Sequence, residues 1–347
     1  MDKSVRELME ATETTDLVAT SDASGELVRQ HGCPGGNSWS STREDRLRAA
    51  LDVAPRLGGF VKAKQRTAGL RLVADDLGWS HGDGPPQSTH GGLTTLDGVP
   101  DLVLIRHGES TWNAQNLFTG WTDVDLTPKG EAEARQAGAL LAAEERNGLG
   151  LQVVHTSVLT RAVRSANLAL DELGRSWLPV RRHWRLNERH YGDLQGLNKK
   201  QTTAEFGEEK VRLWRRSYDV PPPALSRDDE RHPIHDHRYR DLPPGVLPDT
   251  ECLADVVLRM VPYWEDAIAA DLRAFSGVLV VAHGNSIRAL VKYLKDIPDD
   301  EITGLEIPTG VPWWFRFDDH LELVEDKLLG DPEAIRAAAE AVARQAG

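Results

Sequence analysis

The chain has 347 residues, 40% hydrophobic and 27% charged, which suffices for one large α/β domain and excludes a disulfide-stapled miniprotein. A net charge of −13 argues against non-specific nucleic-acid binding, and no stretch approaches the roughly 18 apolar residues of a membrane-spanning helix. Cys33 and Cys252 show neither C-x-x-C nor zinc spacing, and the first residues are acidic without an apolar signal core, so a cytoplasmic protein without a disulfide framework is expected.

Residues 1–97 scatter Ser, Thr, Asp and Gly among short amphipathic fragments such as Thr42–Leu57. The run Gly78–Gly98 is rich in Gly, Pro, Ser and Thr and has neither helical nor strand periodicity. A mostly disordered or loosely helical extension is expected over 1–97, with a linker near 78–98 and the folded domain over 98–347.

From Pro100 onward, short apolar runs alternate with longer amphipathic ones. Branched and aromatic residues predict a first strand at Leu102–Ile105. Thr127 and Pro128 then supply an N-cap and a proline at the first helical position, opening a helix whose Ala137, Leu140 and Leu141 share a face. A second strand is expected at Leu151–His155, a helix over Val158–Leu173 capped by Ser157, and a third strand at Val180–Leu186. Val278–Ala282 reads as a fourth strand, followed by a helix that Ser286 opens and that runs through Leu294; Trp313–Phe317 reads as a fifth. Strands interleaved with helices predict an α/β fold with a mostly parallel central sheet in a three-layer α/β/α sandwich, because parallel neighbours need crossover connections that cover both faces.

In such a sheet, ligands bind beyond the carboxyl ends of the strands. Arg106, His107 and Gly108 follow the first strand; Thr156 and Ser157 follow the second, with Arg161 one turn into the helix. The third strand leads into Asn187, Glu188, Arg189, His190 and Tyr191, and the fourth into His283, Gly284 and Asn285. Guanidinium groups pair bidentately with phosphate oxygens, and a glycine after each histidine lets the backbone approach a ligand, so this inventory suits phosphate. An imidazole attacks phosphorus only when neutral, and Arg106 beside His107 favours that form by like-charge repulsion. Arg106, Arg161 and His283 would then supply the charge stabilisation that metals supply elsewhere, so no metal is required. Glu188 is the candidate proton acceptor and donor for the alcohol that exchanges the phosphoryl group. Guanidinium neighbours favour its ionised form, whereas the charge of a bound phosphate pushes the other way.

Three segments, LVLIRHGESTWNAQNLFTGWT from Leu102, LNERHYGDLQGLNK from Leu186 and AHGNSIRALVKY from Ala282, closely resemble the cofactor-dependent phosphoglycerate mutases of the histidine phosphatase superfamily. R-H-G alone is shared with phosphatases; F-T-G-W, N-E-R-H-Y-G, Q-G-L-N-K, W-R-R and P-T-G-V-P point to the mutase branch. The resemblance covers about Leu102 to the C-terminus. It implies a phosphohistidine nucleophile at His107, a proton donor and acceptor at Glu188, and a stabiliser of the transferring group at His283. Arg106, His107, Gly108, Glu109, Ser110, Thr111, Trp112, Asn113, Thr119, Gly120 and Arg161 would surround the phosphate. Glu188, Arg189, His190, Tyr191, Lys199, Arg215, Arg216, Gly284 and Asn285 would complete the substrate pocket. The implied reaction interconverts 3-phosphoglycerate and 2-phosphoglycerate in glycolysis and gluconeogenesis, with 2,3-bisphosphoglycerate as primer and intermediate and no metal. The partners implied are small-molecule phosphoglycerates and further copies of the chain in a homodimer or homotetramer.

Blander roles compete. Arg215 and Arg216 also fit a solvated helix face, although Trp214 beside them suggests burial; Tyr191 and Trp112 also fit simple packing. The stretch Arg231–Asp241 packs three histidines and two aspartates into a Pro-rich loop, but their irregular spacing argues against a metal. Residues 1–97 have no counterpart in ordinary members of the resembling family, and no lysine follows Lys327 in a tail that often carries one. A phosphohydrolase of the same superfamily and a non-catalytic phosphate-binding scaffold therefore stand as alternatives to the mutase.

Overall fold

The computed structural model describes residues 100–344; the expected extension over 1–97 and its linker lie outside the described residues. Six strands form one sheet: β1 Asp101–Arg106, β2 Val153–Thr156, β3 Val180–Arg182, β4 Gly277–Ala282, β5 Pro312–Phe317 and β6 Leu323–Leu328. Their order is β3-β2-β4-β1-β5-β6. The first four positions are parallel, and β5 and β6 add antiparallel. The helices are α1 Thr111–Ala114, α2 Pro128–Glu145, α3 Thr160–Leu173, α4 Lys199–Phe206, α5 Glu208–Arg216, α6 Leu253–Tyr263, α7 Ala269–Ala274, α8 Gly284–Lys295 and α9 Pro332–Arg344. A wide turn over Trp264–Ile268 joins α6 to α7 just after Pro262, which cannot donate a helical hydrogen bond.

Because side chains alternate across a strand, β1 and β4 feed two cores. Leu102, Leu104, Val278 and Val280 pack with Val256 and Met260 of α6 and Leu290 of α8. Val103, Ile105, Leu279 and Val281 pack with Ala137 and Leu141 of α2 and Ala166 and Leu170 of α3. Burial on both faces explains why these strands read as unbroken apolar runs, and it makes the three layers foreseen from the sequence.

The expected α2 is present, with the Thr127 hydroxyl accepting from Gly130 N–H at 3.1 Å. Other boundaries moved. The third strand stops at Arg182: the His183 ring accepts from Arg185 N–H at 3.2 Å and turns Trp184–Leu186 into a single 3₁₀ turn. Ser157 is not the N-cap of α3, which starts at Thr160, where the Asp123 carboxylate accepts the first N–H at 2.7 Å. Ser286 is the third residue of α8 and not its opening; its hydroxyl accepts from His283 N–H at 3.1 Å, and the helix continues to Lys295. The strand β6, on the outer side of β5, was not foreseen.

Candidate active site

The parallel register of β1 and β4 sets Arg106 opposite Ala282, and His107 N–H donates to the Ala282 carbonyl at 3.0 Å. The next residue of each strand is a histidine, so sheet pairing alone brings the two rings together, centroids 4.9 Å apart at 62°. The chain leaves β1 through Gly108, where an added Cβ would lie 2.0 Å from the Gly130 carbonyl oxygen. One at Gly130 would lie 2.0 Å from the Glu109 carbonyl oxygen. The first turn of α2 thus rests directly on the main chain beside the histidine.

His107 is 3% exposed, and its Nδ1 lies 2.7 Å from the Gly108 carbonyl. A carbonyl only accepts, so Nδ1 carries the proton and Nε2 keeps its lone pair. Burial, then Arg161 and Arg106, hold this imidazole well below its usual pKa and therefore neutral. His283 is fully buried and likewise held well below its usual value by burial, Arg161, His107 and Arg106. Its Nε2 lies 2.8 Å from the Ser157 hydroxyl. Arg161 donates to the Thr122 and Gly120 carbonyls at 3.0 and 2.7 Å, and burial lowers its pKa to about 10, still charged at neutral pH. Arg106 donates to the Ile307 carbonyl at 2.8 Å.

Glu188 is 8% exposed. Its Oε1 accepts from Arg189 N–H at 2.8 Å, Asn285 N–H at 3.1 Å and Asn285 Nδ2 at 2.8 Å. Burial alone would raise its pKa, but these hydrogen bonds with Arg106 and Arg161 outweigh it and keep the carboxylate ionised. Arg288 holds Asn285 by donating to Oδ1 at 2.7 Å. Behind the carboxylate, the Glu188 carbonyl accepts from Trp121 Nε1 at 2.6 Å and Arg259 at 2.9 Å, and Arg259 is paired with buried Glu251 at 2.6 Å.

A small cavity runs along the site, its lining including Arg106, His107, Asn113, Thr119, Gly120, Arg161, Glu188, Tyr191 and Lys199. Arg189 lies 4.6 Å over the Tyr191 ring and donates to the Arg215 carbonyl at 2.9 Å. Burial lowers Arg215 to about 10 and, with Arg215 and Arg106 nearby, Lys199 to about 8. Burial would raise Tyr191, but Arg189 and Lys199 bring it down to about 8. Among the described residues, Arg106 Nε, Thr119 Oγ1, Arg189 Nε and His283 Nδ1 are buried without a hydrogen-bond partner. Buried donors left open beside several cations are what a polyanion with two phosphates and a carboxylate would satisfy.

Several residues of the expected site also make contacts within the protein itself. Glu109 binds Thr127 and Lys129, Ser110 caps α1 through Asn113 N–H, and Thr111 N–H donates to the Asp125 carbonyl. The Trp112 ring lies against Gly196. The fully buried His190 ring accepts from Gly192 N–H at 3.1 Å. Arg216 pairs with Glu306 at 2.5 Å beside a separate open cavity. Gly284 lies near Arg106 and Glu188. In the Arg231–Asp241 loop, His232 pairs with Asp249 and His235 meets the Arg227 carbonyl; among the described residues no three His, Cys, Asp or Glu side chains come together to hold a metal. The sequence reading missed Arg288, which reaches Asn285 from one turn further along α8, and it missed Arg259 and the contact of Ser157 with His283, which join the site by long-range hydrogen bonds that carry no local signal.

The chain matches the histidine phosphatase superfamily (branch 1) over residues 102–232 and 224–325. It is 59% identical over 247 residues to the 2,3-bisphosphoglycerate-dependent phosphoglycerate mutase of Thermobifida fusca, spanning 70% of this chain and 98% of that protein. The protein of the same name from Streptomyces griseus is 58% identical over 245 residues, spanning 70% and 96%. Among solved structures, mycobacterial hydrolase 1 superposes with a TM-score of 0.51 at 23% identity, covering 67% of this chain and 97% of that one. A mycobacterial glucosyl-3-phosphoglycerate phosphatase complexed with VO3 gives 0.50 at 23%, covering 66% and 97%. These two likenesses concern the fold.

Proposed function

The chain belongs to the histidine phosphatase superfamily as a 2,3-bisphosphoglycerate-dependent phosphoglycerate mutase, and we propose that it carries the phosphoryl group on His107. It interconverts 3-phosphoglycerate and 2-phosphoglycerate, a step of glycolysis. The observation that carries the assignment of His107 is its tautomer: with Nδ1 bound to the Gly108 carbonyl, neutral Nε2 offers its lone pair beside Arg106, Arg161 and His283.

Phosphorylation of that nitrogen places negative charge where Arg106 and Arg161 already stand, so stabilisation requires little rearrangement. Glu188, ionised and anchored by Asn285, takes the proton from the substrate hydroxyl that receives the phosphoryl group and returns it in the reverse direction. Lys199, Arg189 and Arg215 hold the remaining phosphate and carboxylate charge. The open buried donors Arg106 Nε, Arg189 Nε and Thr119 Oγ1, together with this cationic wall, fit 2,3-bisphosphoglycerate. When bound, that primer supplies the phosphoryl group that charges the histidine.

Residues 98–347 form the catalytic unit, a reading supported by relatives whose length is almost wholly matched by 70% of this chain. A cytoplasmic homodimer or homotetramer is the expected assembly, to be read by light scattering on the full chain. No helix of the described residues is long and apolar enough to cross a membrane. The deciding experiment incubates the protein with 3-phosphoglycerate, with and without catalytic 2,3-bisphosphoglycerate, and follows 2-phosphoglycerate, free phosphate and acid-labile protein phosphate. Primer-dependent 2-phosphoglycerate with labelled protein is expected; free phosphate as the main product would make the chain a hydrolase. Removal of residues 1–97 should spare turnover, and its loss would make the extension part of the catalytic unit.

A further inference from the structure

We propose that Ser157 is a positioning residue that decides which nitrogen of His283 carries the proton, so that this ring meets the transferring phosphoryl group as a hydrogen-bond donor. The proposal rests on the roles given above to His107 and His283 and adds a residue from the end of β2.

Ser157 is fully buried, and its hydroxyl has two neighbours: Leu159 N–H at 3.2 Å and His283 Nε2 at 2.8 Å. A hydroxyl has one proton to give and two lone pairs to offer. The Leu159 amide donates and so occupies a lone pair. Were His283 Nε2 also a donor, the serine would accept twice and its own buried proton would lack an acceptor among the described residues, at a cost of about 1–3 kcal/mol. With the hydroxyl proton directed at Nε2, both groups are satisfied and the single ring proton sits on Nδ1. Among the described residues that nitrogen is buried without a hydrogen-bond partner, and an oxygen of the transferring phosphoryl group that reached it would satisfy it.

The two histidines are therefore set to opposite tasks by different neighbours. A main-chain carbonyl takes the Nδ1 proton of His107 and leaves Nε2 as a lone pair; a hydroxyl occupies Nε2 of His283 and leaves Nδ1–H as a donor. Without the serine, His283 is free to adopt the other tautomer and turn a lone pair toward the phosphoryl oxygens, which repels the charge it should stabilise.

The test combines histidine-selective ¹⁵N NMR of the full-length protein with steady-state kinetics. In the wild-type protein, His283 should appear as the Nδ1–H tautomer, and Ser157→Ala should shift it toward a mixture or toward Nε2–H. Ser157→Ala should lower kcat about 100-fold while KM for 3-phosphoglycerate stays within about twofold, on the scale of losing one preorganised donor. Ser157→Thr, which keeps the hydroxyl, should recover most of kcat. An Nε2–H tautomer in the wild-type protein overturns the proposal without any variant having to fold. So does a Ser157→Ala protein with wild-type kcat, or a folded Ser157→Thr as impaired as Ser157→Ala. A protein that lacks mutase activity yet shows the Nδ1–H tautomer would refute the reaction assigned above and leave the role of Ser157 standing.

Discussion

The floor of the cavity and its wall are held by different kinds of interaction. The floor, His107 with the buried His283 beside it, hangs from β1 and β4, whose register is set by main-chain hydrogen bonds and two buried apolar faces. The wall, Glu188, Tyr191 and Lys199, comes from a loop and one short helix. Side chains hold it, foremost Arg259, whose guanidinium reaches the Arg185, Asn187 and Glu188 carbonyls and buried Glu251. The floor should thus keep its geometry when a neighbouring side chain is lost and fail only through its chemistry, whereas the wall should fail through its supports.

The largest effect expected tests the floor. His107→Ala should abolish acid-labile labelling and cut turnover by at least about 10⁴-fold while thermal stability changes little; substantial turnover in that variant would refute the covalent route. The next strikes the wall's support: Arg259→Met leaves Glu251 and three carbonyls buried without their cation, so chemical denaturation should report a loss of about 3–5 kcal/mol. A loss below about 1 kcal/mol would mean the wall has other anchors. Glu188→Gln keeps the shape of the wall and removes its base, and rapid-quench kinetics should show turnover falling about 10²-fold, with labelling by a bisphosphorylated donor less affected. An equal fall in both would contradict the proton-transfer role.

The smallest effect concerns pH. Lys199, with its pKa lowered to about 8, is charged below that value and neutral above it, so a cation that holds substrate is lost as pH rises. Tyr191 gains negative charge over the same range. Because kcat/KM reports the free enzyme, it should fall by up to about tenfold from pH 7 to pH 9, and less in Lys199→Arg. A profile unchanged by Lys199→Arg would remove this residue from substrate binding. The acid side should show no loss near pH 6.5 from either His107 or His283, since both stay neutral well below that value.

The same division governs what could be read beforehand. β1 and β4 were legible because burial on both faces writes an uninterrupted apolar run, and the rule that ligands sit beyond parallel strand ends then located His107 and His283. Val180–Leu186 misled because its apolar residues suit a strand, while the His183 ring hydrogen-bonds Arg185 N–H and bends the chain. Ser157 has the local signature of a helix cap, yet its 2.8 Å partner is a ring 126 positions away. Arg216 matched a family string, and its pairing with Glu306 at 2.5 Å carries no local signal. Wall residues are placed by tertiary contacts with no periodicity, so only the resemblance pointed to them.

The close approach of the main chain at Gly108 and at Gly130 has a consequence for descent. At each position the obstacle to a methyl group is a carbonyl oxygen 2.0 Å away, and every amino acid carries one, so no replacement elsewhere can make room. Neither letter can drift first while the other waits to compensate. Lineages carrying this chain should therefore keep both or part from the pair only by shifting a whole helix, so that the nucleophile's surroundings are inherited as a block.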